Sequence, residues 1–89
     1  DKMRALFVGG TVDNSELDLA RDEPPAHYPE NTGSGLSRYN LHHVGRDRDG
    51  DIAYAVYAAP DLADELVRRV AEERGYARRF DATPGDPPA

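Results

Sequence analysis

The chain has 89 residues, no cysteine, and a formal charge of -6 from 17 acidic and 11 basic side chains. That length supports one domain whose core hides only about 60% of the surface the unfolded chain exposes, and the missing thiols exclude disulfides or a thiolate zinc site as staples. The acidic balance opposes direct nucleic-acid binding, which draws its affinity from clustered cations that release counterions, and no apolar run is long enough to span a bilayer.

Ten of the eleven basic residues are arginine, the look of a GC-rich coding source, and a soluble protein of a reducing cytoplasm is the expectation. Asp1 and Lys2 stand before Met3 and read as a tag remnant, which leaves residues 3–80 as the domain. RALFV at 4–8 is a run of strand formers closed by Gly9 and Gly10, and SELDL at 15–19 alternates polar and apolar residues with the period of a half-buried strand. Together they predict a first hairpin, whose connection uses glycines for positive φ and Asp13 and Asn14 for side-chain turn bonds. Residues 21–36 carry Pro24, Pro25 and Pro29 and little to bury, so they read as a long loop. Its bulky side chains, His27 and Tyr28, either pack back over the sheet or touch a partner.

Residues 37–46 and 52–59 carry the strongest hairpin signal, because Asp49-Gly50 suits a two-residue type I′ turn. That turn places Leu41, His43, Ile52, Tyr54 and Val56 on one face and His42, Val44, Ala55 and Tyr57 on the other. A three-residue loop would instead bring His42 and Val44 to the face of Ile52, Tyr54 and Val56. The Ile52, Tyr54 and Val56 face is expected to meet a helix over 62–74, with Asp61 as N-cap, Asp64 and Glu65 at the positive end of the dipole, and Gly75 as left-handed C-cap. Leu62, Ala63, Leu66, Val67 and Val70 form its apolar stripe, with Asp64, Arg68, Arg69 and Glu72 opposite. Tyr76 folds back on the last turn and Phe80 pins the few residues beyond it. Residues 81–89, with three prolines, are expected to be disordered. The fold class is therefore α+β: a small antiparallel sheet from two hairpins with one C-terminal helix packed on one face.

Asp47, Asp49 and Asp51 place hard oxygens at alternate positions, as a calcium loop begins. The EF-hand pattern then needs glycine at its sixth place and glutamate at its twelfth, where this chain has Ile52 and Ala58. A solvated turn accounts for the triplet, and no metal site is expected. His42 and His43, as strand neighbours, should point to opposite faces and share no ion. No triad is visible, and a thin core leaves little room for a ligand-sized pocket, so no catalytic or cofactor residues are assigned and a non-enzymatic role is expected. Two surfaces remain. Arg74, Arg78 and Arg79, flanked by Tyr76 and Phe80, either answer the helix dipole or form a hot spot of arginine and aromatic anchors. Asp13, Glu16, Asp18, Asp22, Glu23 and Glu30 form an acidic segment able to dock on a basic groove.

The opening MRALFVGGTVDN, a Pro-rich loop, YNLHHVGRDRDGDIAYAVYA and a terminal amphipathic helix together resemble a class of very small phage-encoded proteins. These start with a strand, Gly-Gly, an x-x-Asp-Gly turn and a second strand; Gly9, Gly10 and Asp13 match, while Asn14 stands in the glycine place and tolerates positive φ. The resemblance brings no catalytic residues. It implies a protein made in the cytoplasm of an infected bacterium, a monomer or weak dimer that occludes a functional surface of a host complex, either a CRISPR effector or RNA polymerase. A virion part or a small enzyme is the alternative.

Overall fold

The computed structural model describes residues 2–30 and 38–88. Expectations for Asp1, for loop positions 31–36, for Ser37 at the start of a strand and for Ala89 lie outside the described residues. Along the chain come β1 (Met3–Val8), β2 (Glu16–Leu19), β3 (His27–Tyr28), β4 (Tyr39–Arg46), β5 (Ile52–Ala58), α1 (Asp64–Glu73), α2 (Tyr76–Phe80) and β6 (Thr83–Gly85). The α+β class holds, but the architecture is not two hairpins under one helix.

Both hairpins form, and the joint between them makes the sheet mixed. β1 pairs β2 antiparallel and β5 parallel, giving the order β2-β1-β5-β4-β3, with β6 also on β4. The reason lies in burial. β1 from Ala5 to Val8 and β5 from Tyr54 to Ala58 are buried without a break, and strands buried on both faces take the centre of a sheet. The first turn agrees with expectation: Asn14 takes φ 67° and its N–H donates to Phe7 O at 2.8 Å, while Gly9 N–H donates to Asp13 Oδ1 at 2.7 Å.

The β4–β5 hairpin contains both of the anticipated registers. Gly50, at φ 85°, closes a three-residue loop in which Asp47 N–H donates to Asp51 O at 2.9 Å, and Arg46 faces Ile52. A bulge at Ala53 then shifts the pairing by one, so that Gly45 faces Tyr54, Val44 faces Ala55 and His43 faces Val56. A second bulge, at His42, shifts it back, and Leu41 faces Tyr57. Ile52 and Leu41 consequently leave the face of Tyr54 and Val56 and pack on the opposite one, because each bulge turns over every side chain beyond it.

Two cores result. Leu6, Val8, Tyr54, Val56 and Ala58 meet Val67, Ala71 and Tyr76 from the helices. On the far face lie Met3, Ala5, Phe7, Val44, Ala55 and Tyr57. The described part of the expected loop covers that face: Pro24 and Pro25 are buried, the Tyr57 hydroxyl donates to Pro25 O at 2.7 Å, and the Tyr28 ring lies 5.5 Å from Phe7. His27–Tyr28 pairs with Tyr39 and Asn40, so the segment is partly a strand.

α1 begins two residues later than expected. Leu62 anchors beneath Gly9, where any Cβ would fall 2.4 Å from Leu62 Cδ1, and its N–H donates to Ala59 O in a turn. The N-cap is therefore Ala63, without a side-chain cap bond, and Asp61 is exposed. The buried stripe is Val67 and Ala71, whereas Ala63 is exposed and Leu66 is 38% exposed. Gly75 takes φ 69° as expected and opens a second helix. Asp81, at φ 49°, turns the chain back, and Thr83–Gly85 pairs with Arg46, Gly45 and Val44. The tail expected to be disordered thus supplies a strand, since the second half of β4 had an edge open to pairing. Among the described residues no helix is long and apolar enough to cross a membrane.

Candidate functional site: a histidine cleft

β3 pairs with the first residues of β4 and β6 with the last three, so His42 and His43 fall in the gap between them. The bulge at His42 sits in that gap. In a bulge two residues oppose one, and neighbouring side chains no longer alternate cleanly. The two histidines, expected on opposite faces, are therefore partners: His42 Nδ1 and His43 Nδ1 are 2.8 Å apart, with ring centroids at 5.0 Å. Both are half-buried.

Asp64, in the first turn of α1, hydrogen-bonds His42 Nε2 through Oδ1, while its Oδ2 lies 3.3 Å from Arg68 Nη2. This chain of contacts fixes the protons by elimination. Asp64 can only accept, so His42 carries a proton on Nε2. If His42 is neutral, its Nδ1 accepts from His43 Nδ1–H, and His43 Nε2 is a lone pair. If His42 is cationic, its Nδ1–H donates to His43 Nδ1, and a neutral His43 carries its proton on Nε2. One proton added to the pair converts His43 Nε2 from acceptor to donor. Among the described residues that atom has no hydrogen-bond partner.

His43 and Tyr54 lie in a cleft of about 510 Å³, also lined by Arg68, Ala71 and Glu72 of α1, Arg78 of α2 and Asp86 beyond β6. That volume falls in the range of small-molecule sites, contrary to the expectation from chain length. Tyr54 packs over Gly45, whose missing Cβ gives the ring its place on β4, and the His43 ring meets it edge-on at 6.4 Å. Burial holds His43 down at about 4, helped by His42 and Arg68, against which Asp64 is the weaker influence. Burial likewise raises the Tyr54 phenol.

The two surfaces anticipated from the sequence are largely joined to each other. Arg74 donates to both Asp13 oxygens at 2.9 and 3.1 Å, to Phe7 O at 3.2 Å and to the Tyr76 hydroxyl at 3.0 Å. Arg79 grips Glu16 through two bonds of 2.9 and 3.1 Å and lies over the Phe80 ring at 5.1 Å. Arg4 completes the network with Glu16 at 2.8 Å and Asp18 at 2.6 Å. The Gly9 N–H and then Arg74 hold the Asp13 carboxyl below its usual value, and Arg79 with Arg4 does the same for Glu16. Tyr76 is buried, and Phe80 packs on Tyr54 at 5.3 Å. Tyr28 is core, and His27 is exposed with its Nδ1–H donating to Asn40 Oδ1 at 2.8 Å. Asp22 and Glu23 are exposed before the buried prolines. Of the arginine cluster, only Arg78 faces the cleft.

The aspartate triplet shapes its turn. Its carboxylate atoms lie within 4.8 Å of one another, and Asp47 Oδ1 accepts the N–H groups of Asp49 and Asp51 at 2.9 and 3.1 Å. Sequence reasoning missed Arg68, Glu72, Tyr54 and Asp86 as a group, because the return of β6 to β4 and the packing of α1 on the sheet bring them together. The bulge left one signal: LHHV breaks the alternation that a regular strand would keep. Comparison with protein-family models, curated proteins and solved structures finds no match to this chain.

Proposed function

We propose that this chain is a small-molecule-binding domain that acts by occupancy, with the histidine cleft as its recognition site. The observation that carries the reading is the half-buried His42–His43 pair, oriented by Asp64 and opening on a cleft of ligand volume. The lining offers hydrogen-bonding and charged groups around an aromatic floor, the composition by which ligand sites fix orientation. Its single hydroxyl is the Tyr54 phenol, which burial keeps protonated, so the site suits binding better than nucleophilic turnover. The test is a screen of metabolite-sized compounds by amide-shift mapping. Hits should perturb His43, Tyr54 and Ala71 with a one-to-one equivalence point, and Ala77→Phe, which fills the cleft from α2, should abolish them while leaving the rest of the spectrum in place. Hits scattered over the surface would refute the reading.

The charge pattern favours a second reading. With Arg4, Arg74 and Arg79 engaged by Glu16, Asp18 and Asp13, an exterior of net charge -6 remains for docking on a basic groove. This fits a phage-encoded inhibitor of a host CRISPR effector or RNA polymerase. Affinity capture from bacterial lysate at low salt should then recover one of these complexes and lose it at high salt.

A further inference from the structure

We propose that the cleft takes a small molecule bearing one oxyanion group, a carboxylate or a phosphate, held by Arg68, Arg78 and His43 Nε2 and bound together with one proton. This rests on the binding reading and adds the chemistry of the ligand. Three observations lead to it. Among the described residues His43 Nε2 has no hydrogen-bond partner, its Nδ1 being committed to His42, so in the cleft it is left to water or a ligand. Arg78 makes no ion pair among the described residues, and Arg68 meets only Asp64, at 3.3 Å between exposed groups, so both guanidinium groups are available to the cleft they line. The field at His43 is positive: Arg68 opposes its protonation more than Asp64 favours it.

An anion placed beside His43 reverses that field. The pair then accepts a proton, His43 Nε2 becomes a donor as the relay requires, and the donor faces the oxyanion. The charged and titratable groups around His43 are His42 on β4, Tyr54 on β5, Asp64, Arg68 and Glu72 on α1, Arg78 on α2 and Asp86 beyond β6. Glu72 and Asp86 are exposed, and they set the limit of one oxyanion, since a second negative group would meet them.

Sulfate is the probe for proton coupling, as it does not itself titrate between pH 5 and 7; phosphate and acetate identify the group. Amide and histidine side-chain resonances are tracked during each titration. The expected result is saturable movement at His43, Arg68 and Arg78, with sulfate affinity rising about tenfold for each unit the pH falls, the slope for one proton taken up. Arg78→Gln, which removes an exposed side chain that makes no ion pair or side-chain hydrogen bond among the described residues, should weaken sulfate about tenfold with an unchanged fold. His43→Gln should bind weakly and without pH dependence. Stronger binding of phosphate than of acetate assigns a phosphate ligand, and the reverse a carboxylate. If none of the three anions moves these resonances, or if the affinity is flat with pH, the proposal is wrong. Uncharged compounds that still seat in the cleft would then leave the binding reading standing; their failure as well would remove both.

Discussion

Gly45→Ala tests the packing on which the cleft floor depends. A Cβ at this position would lie 2.1 Å from Tyr54 Cε2, 2.4 Å from Cζ and 2.7 Å from Cδ2. The ring is 1% exposed and held by Phe80 at 5.3 Å, Tyr76 at 6.1 Å and His43 at 6.4 Å. Overpacking of this kind costs about 1–3 kcal/mol, and a rigid ring points to the upper end. Alanine recovers about 0.5–1 kcal/mol over glycine within a strand, leaving a net loss of about 2 kcal/mol. A domain of this length has roughly 4–13 kcal/mol in all, so the loss is readily measured. Urea unfolding monitored by far-ultraviolet circular dichroism should show the midpoint falling by about 2 M, taking a slope of about 1 kcal/mol per molar for so small a chain. Tyr54→Val, which removes the clashing atoms, should cost about 3 kcal/mol by itself. Adding Gly45→Ala to it should then stabilise by about 0.5–1 kcal/mol, giving a coupling of about 3 kcal/mol in the double-mutant cycle. A Gly45→Ala protein within about 0.5 kcal/mol of the parent, or additivity in the cycle, would refute the packing argument.

Stability should fall as the pH drops from 6.5, the ordinary histidine value, towards about 4, because in that window the unfolded chain binds a proton at His43 that the folded chain does not. The loss, about 2 kcal/mol after allowance for partial exposure, should be absent from His43→Leu in parallel melts. Arg74→Met removes the group that ties the first turn to α2 through Asp13, Phe7 O and Tyr76; a loss of about 1–2 kcal/mol in urea unfolding is expected. The Asp13 carboxyl should then titrate nearer its usual value in a carbon-detected experiment, raised by the loss of the guanidinium but still held down by the Gly9 N–H. Tyr57→Phe leaves Pro25 O without its buried donor, so a loss of about 1 kcal/mol is expected, with faster amide exchange at Ala26 and Leu41, where Leu41 N–H meets Ala26 O.

The hairpins are legible in the sequence because local rules decide them: glycines and Asn14 at positive φ, Asp47 bracing its turn, and runs of strand formers on either side. The parallel joint of β1 to β5 is not, although its cause is visible in ALFV and YAVYA, apolar without alternation as central strands are. Pairing strands only with their neighbours in the chain hides it. Lost N–H donors mark the Pro-rich segment as a loop, yet Pro24 and Pro25 are buried because Phe7 and Tyr57 offer an aromatic face to cover, and Tyr57 lies on a strand some thirty residues later. The arginine cluster fails for a related reason. Arg74 and Arg79 look like free anchors until the first hairpin brings Asp13 and Glu16 beneath them, and an arginine meeting two carboxylate oxygens has become structure.

The cleft arises from the same gap that hid it. β3 ends its pairing at Asn40 and β6 starts at Val44, so the β4 backbone between them is free of an outer ladder on one side. A bulge there disrupts only the bonds to β5, which makes His42 the position where the extra residue is most easily accommodated. The bulge turns His42 towards His43, and α1, starting late because Leu62 anchors under Gly9, delivers Asp64 to its Nε2. Each step is a packing consequence of the fold, but together they produce an oriented imidazole pair with one unpartnered nitrogen at the mouth of a ligand-sized space. A purely structural role would be served as well by an apolar residue at position 43, where burial, with His42 and Arg68, holds the ring neutral. A half-buried imidazole whose Nε2 has no partner among the described residues, in a cleft that Arg68 and Arg78 also line, is what the proposed anion site would use.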